Sequence, residues 1–360
     1  MSFLIFFLAL SLMVLVHELG HFLAAKKNGV KVVEFGLGMP PRLWARQIGE
    51  TLYSLNLIPM GGFVRVWGME EKVKKEIGRS FYHQAAWRQG LILVAGVVMN
   101  LVLALVVFSL VYGFTGVPEK MGYVQVAEVA PGSPAAQAGI KPKEIVVALR
   151  LGSEEVRPKE TTVLVETVKK WAGKKISLRL AQEECWPDCP ERWVELVPRP
   201  KPPPGEGAMG VLVVDTRMAK PPLWRRIPLG VWFGLQEAWF WGREIVLGVG
   251  RMVAELFRGQ PPKELAGPVG IYKISSQVYQ ENGFLAVIHF FAIISVNLAI
   301  VNLFPLPGTD GWHLLILSWE KLRGRELSQE LKHKINQWGM IFLFALFFLI
   351  LVADLKRFFF

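Results

Sequence analysis

Long apolar runs alternate with polar stretches along this chain, and the lengths of the runs set the first expectation. Four of them, within residues 1–25, 89–114, 284–306 and 336–355, hold enough apolar residues to cross a bilayer as helices. A crossing takes about 20 residues at 1.5 Å each. The pattern predicts a polytopic α-helical membrane protein with four transmembrane helices. A signal peptide fits the first run poorly, because no basic stretch precedes it and no small-residue cleavage site closes it.

Elsewhere the period changes. Residues 118–218 carry short alternating segments at 123–129, 145–149, 176–180 and 193–197, with helical patterns at 135–138 and 161–172. That is the signature of one small domain of strands and two helices. Residues 51–67 also have strand character. There the run Pro59-Met60-Gly61-Gly62-Phe63-Val64 reads as a tight turn between two β segments. It is apolar enough to predict a membrane-associated β-hairpin. Residues 221–258 place Trp232, Trp239 and Val246 among Gln236, Arg243 and Arg251 at helical spacing. Gly and charge interrupt the stretch, so an amphipathic interfacial helix is expected and a fifth span is the alternative.

Composition agrees: 52% of the 360 residues are hydrophobic and mean hydropathy is +0.34, high for a soluble enzyme of this length. The net charge is +11, and the basic residues that flank the spans cluster: eleven Lys and Arg fall within residues 26–88 and five within 307–335. The positive-inside rule places both loops in the cytoplasm and the middle region outside. The basic residues are juxtamembrane and no recognition module accompanies them, which argues against a nucleic-acid partner and for membrane lipids. The two cysteines, Cys185 and Cys189, fall in the outer region, where a disulfide and free thiols are both open readings.

The chemistry begins at the end of the first span, in His17-Glu18-Leu19-Gly20-His21. Imidazoles four residues apart on a helix share a face and can share a Zn²⁺, with the adjacent Glu18 placed to take a proton from water. A catalytic zinc takes three protein ligands and keeps one position open. The chain has four Asp, and Asp310 alone follows a span on the predicted cytoplasmic side. It lies in Asn302-Leu303-Phe304-Pro305-Leu306-Pro307-Gly308-Thr309-Asp310, where two prolines break the helix.

The paired motifs resemble the site-2 protease family of intramembrane zinc metalloproteases, in its regulator of sigma-E protease branch. The Pro59–Val64 turn, Ala95-Gly96-x-x-x-Asn100, the stretch Gly132-Ser133-Pro134-Ala135-Ala136-x-x-Gly139, and Ala266-Gly267-Pro268-Val269-Gly270-Ile271 extend the resemblance over nearly the whole chain. It implies that His17, His21 and Asp310 ligate zinc, that Glu18 activates water, and that Asn302 holds substrate. It implies that Gly61, Gly62 and Phe63 present an edge to an unwound substrate helix. The domain at 118–218 is identified as a single extracytoplasmic PDZ domain. The expected activity is cleavage within transmembrane helices of single-span proteins, such as anti-sigma factors or signal-peptide remnants. The expected place is the bacterial inner membrane, with the active site toward the cytoplasm. Val97, Thr309 and Trp312 depart from the family's usual residues without removing a ligand.

Overall fold

The computed structural model describes residues 3–69, 76–188, 190–203, 205–259, 267–325 and 327–359. Lys72, Lys74, Lys75, Cys189 and Ala266 lie outside them. The chain divides into two compact units, one of Met1–Phe114 with Leu223–Phe360 and one of Thr115–Pro222.

The first unit holds helices α1 (Phe3–Lys27), α2 (Ala86–Thr115), α5 (Leu223–Phe257), α6 (Pro268–Leu303), α7 (Asp310–Arg323) and α8 (Gln329–Phe359), with strands β1 (Val32–Ile48) and β2 (Thr51–Val66). Among the described residues, four helices are long and apolar enough to cross a membrane: Ile5–Lys27, Ala86–Thr115, Pro268–Leu303 and Lys334–Lys356. α6 starts 16 residues before the expected span. Gly283 interrupts it with φ 80°, a conformation open to glycine, so an apolar helix and a more polar one are joined end to end. α5 runs unbroken past Pro228 and carries exposed Trp224, Trp232 and Trp239. Apolar contacts between α2, α5 and α6 centre on the buried Phe108, Ala104, Ala292 and Val296.

The β-hairpin is more elaborate than expected. Glu34–Leu37 of β1 pairs on both sides, with Arg65–Gly62 along one edge and Leu52–Leu55 along the other. β2 therefore doubles back between them, and the two segments flanking Gly61-Gly62 both lie on β1 instead of on each other. A separate tight turn at Gly49-Glu50 joins β1 to β2, where Ile48 pairs with Thr51.

The second unit holds β3 (Val117–Val129), α3 (Pro134–Gln137), β4 (Glu144–Leu151), β5 (Glu154–Val156), α4 (Thr161–Lys170), β6 (Ile176–Gln182), β7 (Arg192–Leu196) and β8 (Val211–Ala219). The sheet is antiparallel in the order β7-β6-β4-β3-β8, with β5 on β4. Its core holds Trp171, Leu149, Leu164, Ile176, Leu178 and Leu180, all 2% exposed or less. Burying each such side chain contributes about 2 kcal/mol. Ser133 caps α3 by accepting from the Ala136 N–H at 3.1 Å. Asp215 on β8 caps α4 through the Thr161 N–H at 3.0 Å. Cys185 is disulfide-bonded.

Candidate metal centre

His17 and His21 sit one turn apart on the buried face of α1, both under 8% exposed. Their rings cross edge to face with centroids 4.7 Å apart. Asp310 is the first residue of α7 and reaches them because the chain turns sharply after α6. Pro305 and Pro307 prevent the helix from continuing. The Thr309 hydroxyl lies 2.7 Å from the Phe304 carbonyl and 2.8 Å from that of Leu306, and so ties the turn together. Thr309 thus holds the loop before Asp310.

The three donor atoms form a nearly equilateral triangle. His17 Nε2 and His21 Nε2 are 3.1 Å apart. Asp310 Oδ2 is 3.1 Å from the first and 3.3 Å from the second. Zinc–ligand bonds near 2.05 Å at tetrahedral angles place neighbouring ligand atoms roughly 3.3 Å apart. Asp310 Oδ2 is buried, yet no contact it makes is a well-directed hydrogen bond. Three such atoms aimed at one centre fit Zn²⁺ better than they fit one another.

α2 closes the back of the triangle. A Cβ on Gly96 would collide with His21 Nε2 and stand 2.7 Å from His17 Cε1. Only glycine lets the helix approach the donors this closely. On either side of Gly96, the Ile92 carbonyl lies 2.8 Å from His21 Nδ1 and the Asn100 amide 3.3 Å from His17 Nδ1.

His17, Glu18, His21, Asn302 and Asp310 all border one cavity of about 880 Å³. Asn302, in the last turn of α6, stands 3.4 Å from His17 Nε2. Glu18 accepts a hydrogen bond from the Val64 backbone, which joins the edge of the β-hairpin to the carboxylate next to the His pair. Val64 and Val66 border the cavity, while Gly61, Gly62 and Phe63 are not among its lining residues. Gly61 donates its N–H to Ser11 Oγ at 3.2 Å, and the Phe63 ring covers Gly36. The three residues expected to meet substrate thus lie just before the part of the run that lines the cavity. His313, one turn after Asp310, also borders the cavity, and burial pushes it below its ordinary value toward the neutral imidazole. Its position three residues beyond Asp310 was the available signal.

Known proteins fit this picture. Residues 5–346 match peptidase family M50. A Nostoc protein named "Putative zinc metalloprotease all3971" is 30% identical, over 98% of this chain and 96% of its own. The zinc metalloprotease RasP of Geobacillus kaustophilus is 27% identical, over 99% of this chain and 98% of its own. The chain belongs to peptidase family M50, the site-2 protease family, and is a zinc metalloprotease.

Proposed function

We propose that this protein cleaves peptide bonds inside the transmembrane helices of single-span membrane proteins, with zinc held by His17, His21 and Asp310. The observation that carries this reading is the donor triangle at the wall of a large cavity among apolar helices. Held there, zinc would supply Lewis acidity for the scissile carbonyl and for the attacking water. Glu18 takes the proton of that water and delivers it to the leaving amine. Asn302 holds a freed backbone group of the substrate. A peptide bond within a helix is shielded by its own hydrogen bonds, so the substrate must be unwound first. The run Val64–Val66 supports this step by offering a strand edge beside the cavity, where an extended substrate adds on.

The second unit is read as a single PDZ domain outside the cytoplasm, on the charge pattern of the loops. It excludes substrates whose outer domains are still attached. α5, with Trp224, Trp232 and Trp239 exposed beside Arg225 and Arg243, lies in the outer interface of the bacterial inner membrane.

The test is Glu18→Gln in the reconstituted full chain, which preserves shape but cannot accept the proton. Zinc content should stay at wild type while cleavage of a single-span substrate falls by roughly 10²- to 10⁴-fold. Cleavage near the wild-type rate would remove Glu18 as the base.

A further inference from the structure

The two imidazoles of the metal centre can each offer Nε2 as a donor only if the proton sits on Nδ1. For His21 the structure fixes this directly. Its Nδ1 lies 2.8 Å from the backbone carbonyl of Ile92, which can only accept, so His21 carries its proton there. At His17 the corresponding nitrogen meets a side chain. Eight residues along α2 from Ile92, on the same face and with Gly96 midway, stands Asn100. It is 0% exposed, and its side-chain amide is 3.3 Å from His17 Nδ1.

The amide's orientation decides what it does. With Nδ2 toward the ring, an N–H faces Nδ1, so the His17 proton is forced onto Nε2 and points into the donor triangle. The oxygen and nitrogen of an Asn amide exchange places by a half-turn of the side chain. With Oδ1 toward the ring, Nδ1–H donates to it and the Nε2 lone pair faces the triangle. The arrangement then repeats that of His21 and Ile92.

We infer that Asn100 is a positioning residue for the metal centre, accepting the Nδ1 proton of His17 on its side-chain oxygen and so holding His17 in the metal-binding tautomer. This rests on the ligand assignment made above. The position of Asn100 is itself fixed from a third helix, since its backbone carbonyl accepts from Ser295 Oγ on α6 at 2.9 Å. α2 thus serves both imidazoles from behind, one through main chain and one through side chain. The residue between them has no side chain to intervene.

The experiment measures zinc affinity of the full chain by competition with a chelator, in the absence of substrate. Asn100→Leu keeps the volume but removes the acceptor, and Asn100→Asp keeps an acceptor. Leu should weaken zinc binding by roughly 10- to 100-fold, the usual effect of losing an outer-shell partner, and Asp should stay within a few-fold of wild type. Wild-type affinity in Asn100→Leu, or equal loss in both variants, would overturn the role of the acceptor. Histidine ring nitrogen shifts in zinc-free wild-type protein give a reading that needs no variant to fold. His17 protonated on Nδ1 supports the inference, and His17 protonated on Nε2 overturns it. His21→Ala separates the two levels. If it binds zinc like wild type, the ligand assignment fails and the inference falls with it. If it loses zinc while Asn100→Leu does not, the Asn100 role alone fails.

Discussion

Two polar clusters in the helical unit, one buried and one partly buried, use similar residues to opposite ends. At His17, His21 and Asp310, three donors lie 3.1 to 3.3 Å apart, and the carboxylate oxygen at their apex makes no well-directed hydrogen bond. At Glu237 every contact is directed and complementary. His289 Nε2 is 2.7 Å from one carboxylate oxygen, the Tyr112 hydroxyl donates to the other at 2.8 Å, and Trp241 Nε1 donates at 3.4 Å. Burial raises the Glu237 pKa, but these partners outweigh it and leave the value below normal. The second cluster joins α2, α5 and α6 and is complete as it stands. The first is the one we propose zinc completes. A buried carboxylate flanked by His is therefore not diagnostic of a metal site; what separates the two is whether the donors satisfy one another.

The comparison can be broken most directly at Asp310. About 10–16 kcal/mol of binding spread over four ligands is roughly 3 kcal/mol per ligand. Asp310→Ala should thus weaken zinc binding by ~10²- to 10³-fold, read by chelator competition, and full occupancy in this variant would remove Asp310 from the ligand set. Gly96→Ala comes next. Its new methyl group would meet both imidazoles. Overpacking of this kind costs about 1–3 kcal/mol, which should appear as a 5- to 150-fold loss of zinc affinity. Unchanged affinity would mean that α2 can retreat without disturbing the donors. Glu237→Ala should show the reverse pattern: about 2 kcal/mol less stability on unfolding from detergent, since one partner of a partly buried pair is removed, with zinc content untouched. Zinc loss in a folded Glu237→Ala protein would erase the distinction between the clusters.

The chemistry was more legible in the sequence than the β-structure that borders it. His17, His21 and Asp310 could be singled out because helical spacing is rigid and because Asp is scarce. Two other Asp have structural uses: Asp215 caps α4, and Asp354 accepts the Gly270 N–H at 2.9 Å. β1 escaped the hydropathy reading for a physical reason. Its buried positions from 32 to 38 are Val32, Glu34, Gly36 and Gly38, whereas Leu37 and Met39 are exposed. Beyond Val32 the face that packs inward carries a carboxylate and glycines, while Leu37 and Met39 point outward, so alternation gives no inward apolar stripe. Gly96 stood in the motif it shares with Asn100, but its role escaped for a related reason. A missing side chain leaves no periodic signal, and its purpose emerges only when two imidazoles occupy the space.

The smallest expected effect tests whether hydrogen-bond satisfaction or burial sets the worth of a cluster. Glu50, in the turn between β1 and β2, is as fully partnered as Glu237. Lys26 Nζ at the end of α1 is 3.0 Å from one oxygen, and an Arg79 nitrogen is 2.7 Å from the other. Yet the three side chains are 31 to 45% exposed, where solvent screens such pairs to about 0.5 kcal/mol. Hydrogen bonds from Lys26 and Arg79 lower the Glu50 pKa below its ordinary 4.5. A carboxylate with a depressed folded-state pKa stabilises the fold above the unfolded value and loses that contribution as pH falls through the folded one. Glu50→Gln should therefore cost about 0.5 kcal/mol at pH 7, less in high salt, with the difference from wild type shrinking below about pH 4.5. Thermal melts of the two proteins at pH 7 and pH 4 would measure it. A loss at pH 7 as large as that of Glu237→Ala would show that partner geometry outweighs burial, and the two clusters would then differ by less than their surroundings imply.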